Sequence, residues 1–481
     1  MMVKGLSTWQ LTMMGLGTVV GGSFFLGVAM AIHSAGPSIV ISYILGGAIV
    51  YVILFSLSEM TVADPTPGSF RTFAERSYGP ALGFVVGWVY WTGLILAMSS
   101  EAIAVGLLLR GWFPGISLLL VGAIIIIGVT LLNLLGAEKL SKLESGLAMV
   151  KLLAIVGFII LGILLIIGLF PGTPSVGLGE LGQVAVFPRG IGGIAGSMLI
   201  VMFTYAGFEI IGLAASETND PSRTVPKAIR NTVVGLVVIY VGAIAVLLPL
   251  IPLASITEDV SPFVAALSRH GLGWVGTSLS YVLVTAILST MLAATFGLGR
   301  MIRSLADEGL APAWIKGKGD TPSRGILFSG GAMLAGLALG LFLPQQIYLF
   351  LISSGGFALL FTYLVIVASH VKFRKENGCP EKGRCQLPGY PFTSWFALIS
   401  LVTIIVSMPL IPGQGAGLVA GLSLTLFYSL IYIPVKARKN SKNRVRREIQ
   451  KGKHPFFAES LRPQPEMETS KELVPTKKDK D

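Results

Sequence analysis

Residues Val201–Arg230 read VMFTYAGFEIIGLAASETNDPSRTVPKAIR, a stretch that begins as membrane and ends as water. Its first third is apolar, inside a chain with mean hydropathy +0.78 and 53% hydrophobic residues. Ala206, Gly207, Phe208 and Glu209 then set a glycine beside a carboxylate within the apolar segment. An ionisable side chain at mid-bilayer costs about 2.5–3.5 kcal/mol on insertion scales unless it faces protein or a water-filled cavity. A glycine-weakened helix at that depth is tolerated only where its freed backbone groups line a cavity or are buried in protein. The segment therefore reads as part of an intramembrane binding site. Asp220, Pro221, Arg223, Pro226 and Lys227 follow, and this charge and proline mark the exit into water.

The composition around it fixes the class. Only 12% of the 481 residues are charged. Ile116–Leu135 and Leu147–Phe170 exceed the roughly 18 apolar residues that a membrane helix needs, and neither keeps the polar face of a soluble core helix. The N-terminus, MMVKGLSTWQ, leads into a span without a small-residue cleavage site, so no removable signal peptide is expected. Cys379 and Cys385 share a polar loop with Lys382 and Arg384 and read as two reduced thiols; no metal and no cofactor is expected. The net charge of +12 is not a nucleic-acid signature, because the tail from Lys436 holds fourteen Lys or Arg against seven Asp or Glu.

Length predicts about twelve spans, at 8–32, 38–62, 80–109, 116–135, 143–170, 189–216, 228–252, 273–302, 325–343, 346–370, 392–412 and 415–435. Lys and Arg gather in alternate short loops, for example at Arg71 and Arg76, at Lys139 and Lys142, and at Arg303, Lys316 and Arg324. The opposite loops hold little beyond Arg110, Arg189 and Arg269. The basic loops belong in the cytosol, which places both termini there. Residues 1–435 form the membrane domain, and 436–481, rich in Lys, Glu and Pro, make a basic tail expected to be disordered.

The first span repeats the oddity of the sixth. Gly15, Gly17, Gly21 and Gly22 cluster in MGLGTVVGGSFFLG. Small residues alone would indicate close helix packing. The first and sixth spans, however, occupy matching places if the chain repeats after five helices, and such a pair of glycine interruptions points to a transporter binding site. A broken helix offers free N–H groups at the start of its second half, which favour an anion. The first half exposes carbonyls, which favour a cation. A ligand with a carboxylate and an ammonium a few ångströms apart satisfies both, and that ligand is an α-amino acid.

At these residues the chain resembles the amino acid–polyamine–organocation superfamily, in its bacterial amino acid permease branch. The signatures are GTVVGGSFF, AGPSIVISYILGG, the run Leu57–Phe70, VGWVYW, AMSSEAIAVG, FTYAGFEIIGLAASETNDPSRTVPKAI, GRMIRSLADEGLAP and ASHVKFR, which span about Leu6 to Lys436. The resemblance implies an all-α integral membrane fold of two inverted five-helix repeats, with helices 1 and 6 broken, plus two further helices. It also implies amino acid transport by proton symport or exchange. Carried onto this sequence, Gly21, Gly22 and Ser23 would offer N–H groups to the substrate carboxylate, and the Val19 carbonyl would take the ammonium. Ser23 stands where the family pattern has glycine. On the sixth helix the carbonyls of Phe203 and Ala206 would accept from the ammonium, the Phe203 ring would gate the ligand, and Thr204 and Gly207 would line the same turn.

Three charged residues lie inside spans. Lys151 matches the lysine that takes the place of a bridging sodium in proton-coupled members. Burial disfavours its charged form, so it could load and release a proton, or stay a fixed cation bonded to first-helix carbonyls. Glu101 matches a third-helix glutamate read either as proton relay or as a helix-to-helix hydrogen bond. Glu209 matches a sixth-helix glutamate read mainly as a brace for the broken helix. His370 sits at a membrane edge and receives no chemical role.

The sequence carries no phosphate-binding loop, HExxH or GxSxG, so no enzyme is expected. A pocket with Gly22, Ser23, Phe203, Thr204 and Ser99 or Ser100 leans to a neutral amino acid. The expected partners are that amino acid, a proton and the bilayer of the cell membrane, with no nucleic acid. An exchanger, or an amino acid receptor that kept the permease fold, is the alternative.

Overall fold

The computed structural model describes residues 7–450 apart from 65, 67, 210, 213–217, 219, 258–259, 318, 320, 343–346 and 380–386. Those residues are mostly helical, with a long connection between Ile167 and Gly190. Among them nine helices are long and apolar enough to cross a membrane, and two shorter apolar helices, Leu118–Asn133 and Gly190–Thr204, stand beside them. The chain divides into a main unit, Met1–Leu430, and a terminal unit, Ile431–Asp481.

The first expected span is three helices rather than one: α1 (Thr8–Val19), α2 (Gly22–Phe25) and α3 (Gly27–Ala35). Ser7 starts α1 with a capping box: its Oγ accepts from Gln10 N at 3.3 Å and Gln10 Oε1 accepts from Ser7 N at 2.9 Å. Then come α4 (Ile39–Ala63), α5 (Ser69–Tyr78), α6 (Pro80–Arg110), α7 (Leu118–Asn133) and α8 (Ala137–Ile167). The sixth expected span begins as α9 (Gly190–Thr204) and loses regular helix twelve residues before its expected end at 216. The chain continues with α10 (Pro221–Leu250), α11 (Pro262–Arg269), α12 (Gly273–Asp307), α13 (Ser323–Ala338), α14 (Ile347–Asn377), α15 (Phe392–Ser407) and α16 (Gly415–Gln450). The amphipathic α5 and α11, too short to span a membrane, were outside the twelve expected spans. The last helix runs past 435 to Gln450, and residues 451–481 of the expected tail lie outside the described residues.

Helices α6 and α14 form the centre, with 89% and 83% of their most apolar windows buried against 28% for α15. They meet at Gly93, where an added Cβ would stand 2.4 Å from the Ala358 Cβ. Small residues let backbones approach where lipid gives no hydrophobic drive between helices.

At the basic end, Arg71 of α5 is fully buried and pairs with Glu75 at 3.0 Å and with Glu308 after α12. Nearby, Glu59 of α4 accepts from His370 Nε2 and from Leu387 N, each at 2.7 Å, and forms an ion pair with Arg374, whose Nε stands 3.0 Å away. His370, left without a role by sequence, is therefore one partner of a buried carboxylate. The same region corrects the reading of reduced thiols. Cys379 is disulfide-bonded, just past Gly378, whose φ of +68° turns the chain back at the end of α14; Cys385 lies outside the described residues.

The opposite end is shut by rings. Phe24 stacks on Tyr240 with centroids 4.0 Å apart, and Phe263 of α11 lies 5.3 Å from Phe24, 5.7 Å from Phe25 and 5.0 Å from Phe158. Ser261 Oγ donates to the Phe25 carbonyl at 3.0 Å, fixing the approach to α11 over this cluster.

Candidate functional site

The break between α1 and α2 falls at Val20 and Gly21, both extended, in the glycine cluster that predicted it. A break in a membrane frees backbone groups that must find partners. Glu101 of α6 supplies one set. Its Oε2 accepts from Gly22 N at 2.8 Å and its Oε1 from Ser23 N at 3.0 Å. A carboxylate on two N–H groups makes charge-assisted bonds, each worth about 1.5–3 kcal/mol. Gly22 has no room for a side chain, because its Cβ would stand 2.5 Å from Glu101 Oε2 and 2.8 Å from Ile287. Two of the three N–H groups expected to meet a ligand carboxylate, those of Gly22 and Ser23, are thus held by the protein's own carboxylate.

The carbonyl side of the break is met from α8, α10 and α12. Lys151, completely buried, donates from Nζ to the Gly17 carbonyl and, at 3.3 Å, to Thr290 Oγ1. Thr290 passes the interaction on, donating to the Val20 carbonyl at 3.1 Å. The lysine therefore joins the first broken helix to α12. Tyr240 of α10 bonds across both breaks, its hydroxyl 3.1 Å from the Thr204 carbonyl and 3.4 Å from that of Val19.

On the sixth span, α9 ends at Thr204 and the chain turns through Gly207. Gly207 has φ +104°, which side-chain-bearing residues rarely adopt, and its Cβ would meet the Thr18 carbonyl at 2.9 Å. Thr18 Oγ1 lies 3.2 Å from the Gly207 carbonyl and shares its one proton with the Met14 carbonyl of its own helix at 2.9 Å, so the two breaks touch. Glu209 stands at this turn. It accepts from Tyr90 Oη at 2.9 Å, from its near neighbour Gly207 N at 3.1 Å and from Tyr363 Oη at 3.3 Å.

A cavity of about 50 Å³ lies between the breaks, α6 and α12. Of the expected site residues, Val19, Ser23, Phe203, Ala206 and Gly207 line it, with Glu101 and Glu209. Gly21, Gly22, Thr204 and Lys151 are not in its wall and act on it through their neighbours. The Phe203 carbonyl already accepts from Ala206 N at 3.1 Å, and Thr204 Oγ1 bonds back to the Val201 carbonyl at 2.7 Å. Ser99 and Ser100 are also absent from the wall: Ser99 turns to the Met333 carbonyl of α13 at 3.0 Å and Ser100 to its own helix.

The fold and the site agree with what comparison finds. The family profile described as amino acid permease matches residues 10–450. The chain belongs to the amino acid permease family. The gamma-aminobutyric acid permease of Bacillus subtilis (strain 168) is 34% identical over 91% of this chain and 94% of its own length. The aromatic amino acid transport protein AroP of Escherichia coli (strain K12) is 32% identical over 85% and 91%, and a probable GABA permease of Pseudomonas aeruginosa is 30% identical over 89% and 91%. This permease is accordingly a multi-pass membrane protein of amino acid transport and not an enzyme.

Four residues that hold the permease site together, Tyr90, Tyr240, Thr290 and Tyr363, were not singled out in the sequence. A signal existed for the tyrosines, since a phenol in an apolar span needs a partner for its hydroxyl. Which carbonyl or carboxylate would answer it depends on packing.

Proposed function

We propose that the permease imports a neutral amino acid across the cell membrane by proton symport, with both termini in the cytosol. The fold that goes with this reading is two inverted five-helix repeats, with helices 1 and 6 broken, followed by two further helices. The observation that carries it is the Glu101 carboxylate on the N–H groups of Gly22 and Ser23. A ligand carboxylate aimed at those donors and Glu101 cannot hold them together. A proton on Glu101 removes its negative charge and weakens both bonds, which frees the donors for the ligand. Loss of the proton on the other side returns Glu101 to Gly22 and Ser23 and expels the ligand. Proton and amino acid then cross as a pair.

In this reading the ammonium lies among the carbonyls of Val19, Phe203 and Ala206, with the Phe203 ring beside it. Lys151 is the fixed cation that ties the first helix to α12, and Glu209 keeps the turn at Gly207 in shape. Relatives named for gamma-aminobutyric acid and for aromatic amino acids support an amino acid substrate and differ in its side chain.

The test is uptake of radiolabelled amino acids into proteoliposomes under an inside-alkaline gradient. Symport requires accumulation that a protonophore abolishes. Uptake that follows only the amino acid loaded inside would make the protein an exchanger. Saturable binding with no accumulation in either direction would make it a receptor.

A further inference from the structure

We infer that Gly297 sets the size limit on the substrate side chain, and that the wall leading to it takes an apolar one. The inference rests on the transport reading above and deepens it. From Thr290, which stands beside Glu101 at the Gly21 break, the cavity-facing residues of α12 are Ala293, Ala294 and Gly297. Their spacing of three, four and seven puts them on one helix face. Facing them across the cavity, α6 presents Leu94, Ala97 and Met98. A ligand held by its carboxylate at Ser23 has hydrophobic walls ahead of it, and Gly297 lies about 10 Å further along α12 at 1.5 Å per residue.

The glycine itself is the telling observation. A glycine inside a helix is destabilising relative to alanine, so it usually marks a place where a methyl group would collide. At Gly299, two residues on and on the opposite face of the helix, it does: a Cβ there would stand 2.6 Å from Ile326. At Gly297 a Cβ would have nothing within 4 Å, and no positive φ requires glycine. Gly331 on the exposed face of α13 is as open, but Gly297 faces the cavity rather than the outside. The space it leaves opens on the cavity, where one methyl group counts against the ligand.

The experiment is a competition panel from glycine through alanine, valine, leucine and phenylalanine to tryptophan, run on uptake in proteoliposomes. Gly297→Ala should cut the affinity for the largest accepted side chain by roughly ten-fold or more and leave the smallest unchanged. Gly297→Leu should restrict uptake to the smallest. Gly331→Ala is the control, since that glycine lies on an exposed face of α13 with nothing within 4 Å; its order of preference should equal the wild type's. Alanine suits a helix better than glycine, so Gly297→Ala should fold and keep its thermal midpoint. A wild-type order of preference in both Gly297 variants overturns the inference while transport stands. A wild-type protein that takes up only a linear ω-amino acid overturns the apolar wall, and one that takes up no amino acid removes the transport reading beneath both.

Discussion

Replacing Glu101 by glutamine separates the two duties proposed for that residue. The carboxylate holds Gly22 N and Ser23 N with one oxygen each. An amide has a single acceptor oxygen, so one of the two N–H groups loses its partner and meets an NH2 group instead. The remaining bond is between neutral groups, worth about 0.5–1.5 kcal/mol against about 1.5–3 for its charged counterpart. The variant side chain therefore competes with a ligand carboxylate less well by about 2 kcal/mol or more, a factor of about thirty at 1.4 kcal/mol per decade. In the wild type, binding should strengthen as pH falls, because protonation weakens the competitor. In Glu101→Gln, binding at alkaline pH should match or exceed the wild type's at acid pH and change little between them. Exchange of internal for external amino acid should persist, and accumulation driven by a pH gradient should be lost. Equilibrium binding to the purified protein at acid and alkaline pH, with uptake by the same preparation, measures all three. If Glu101→Gln keeps the wild-type pH dependence or accumulates substrate on a pH gradient, Glu101 is not the proton carrier.

Other residues give separable outcomes. Lys151→Ala should leave the Gly17 carbonyl and Thr290 without their buried donor, lowering thermal stability by about 1–3 kcal/mol and exchange together with gradient-driven uptake; loss of gradient-driven uptake alone would assign proton transfer to Lys151. Phe203→Ala should weaken apparent affinity and broaden selectivity among neutral amino acids in a competition assay, and unchanged selectivity would make the ring packing against Gly355 and Gly356. Tyr240→Phe keeps the ring stacked on Phe24 but removes the hydroxyl shared by the Thr204 and Val19 carbonyls, with an expected cost of about 1–3 kcal/mol for carbonyls left unmet, read as a lower melting temperature in detergent. Substrate should recover part of that loss, since binding stabilises the folded state by mass action.

Much of the fold was legible because spans longer than a bilayer's core announce themselves by composition. The breaks at Val20–Gly21 and after Thr204 were legible too, the first from its cluster of glycines and the second from a glycine beside a carboxylate, both costly in a membrane unless used. The partners of the break were not. That Glu101 would sit on Gly22 and Ser23 follows from the crossing of α2 and α6, residues 78 and 79 positions apart, and no local pattern encodes that distance. The short helices α5 and α11 escaped because hydropathy windows register length, and neither is long enough to count. Glu59 and His370 hid for a related reason: each looks like an edge residue until α4 and α14 bring them within 2.7 Å.

The bonds between the two breaks constrain how the machine can work. Thr18 touches Gly207, and the Tyr240 hydroxyl lies between the Val19 and Thr204 carbonyls with one proton to share, so these backbone groups keep one mutual arrangement unless those contacts are given up together. A transport cycle that preserves them carries the ammonium's surroundings as cargo, identical on the outer and inner faces. Any difference in grip between loading and release must then come from the walls that slide past: Glu101 on one, and Thr290 with its lysine on the other. In the symport reading proposed above, that difference resides in α6, α8 and α12, none of which is broken.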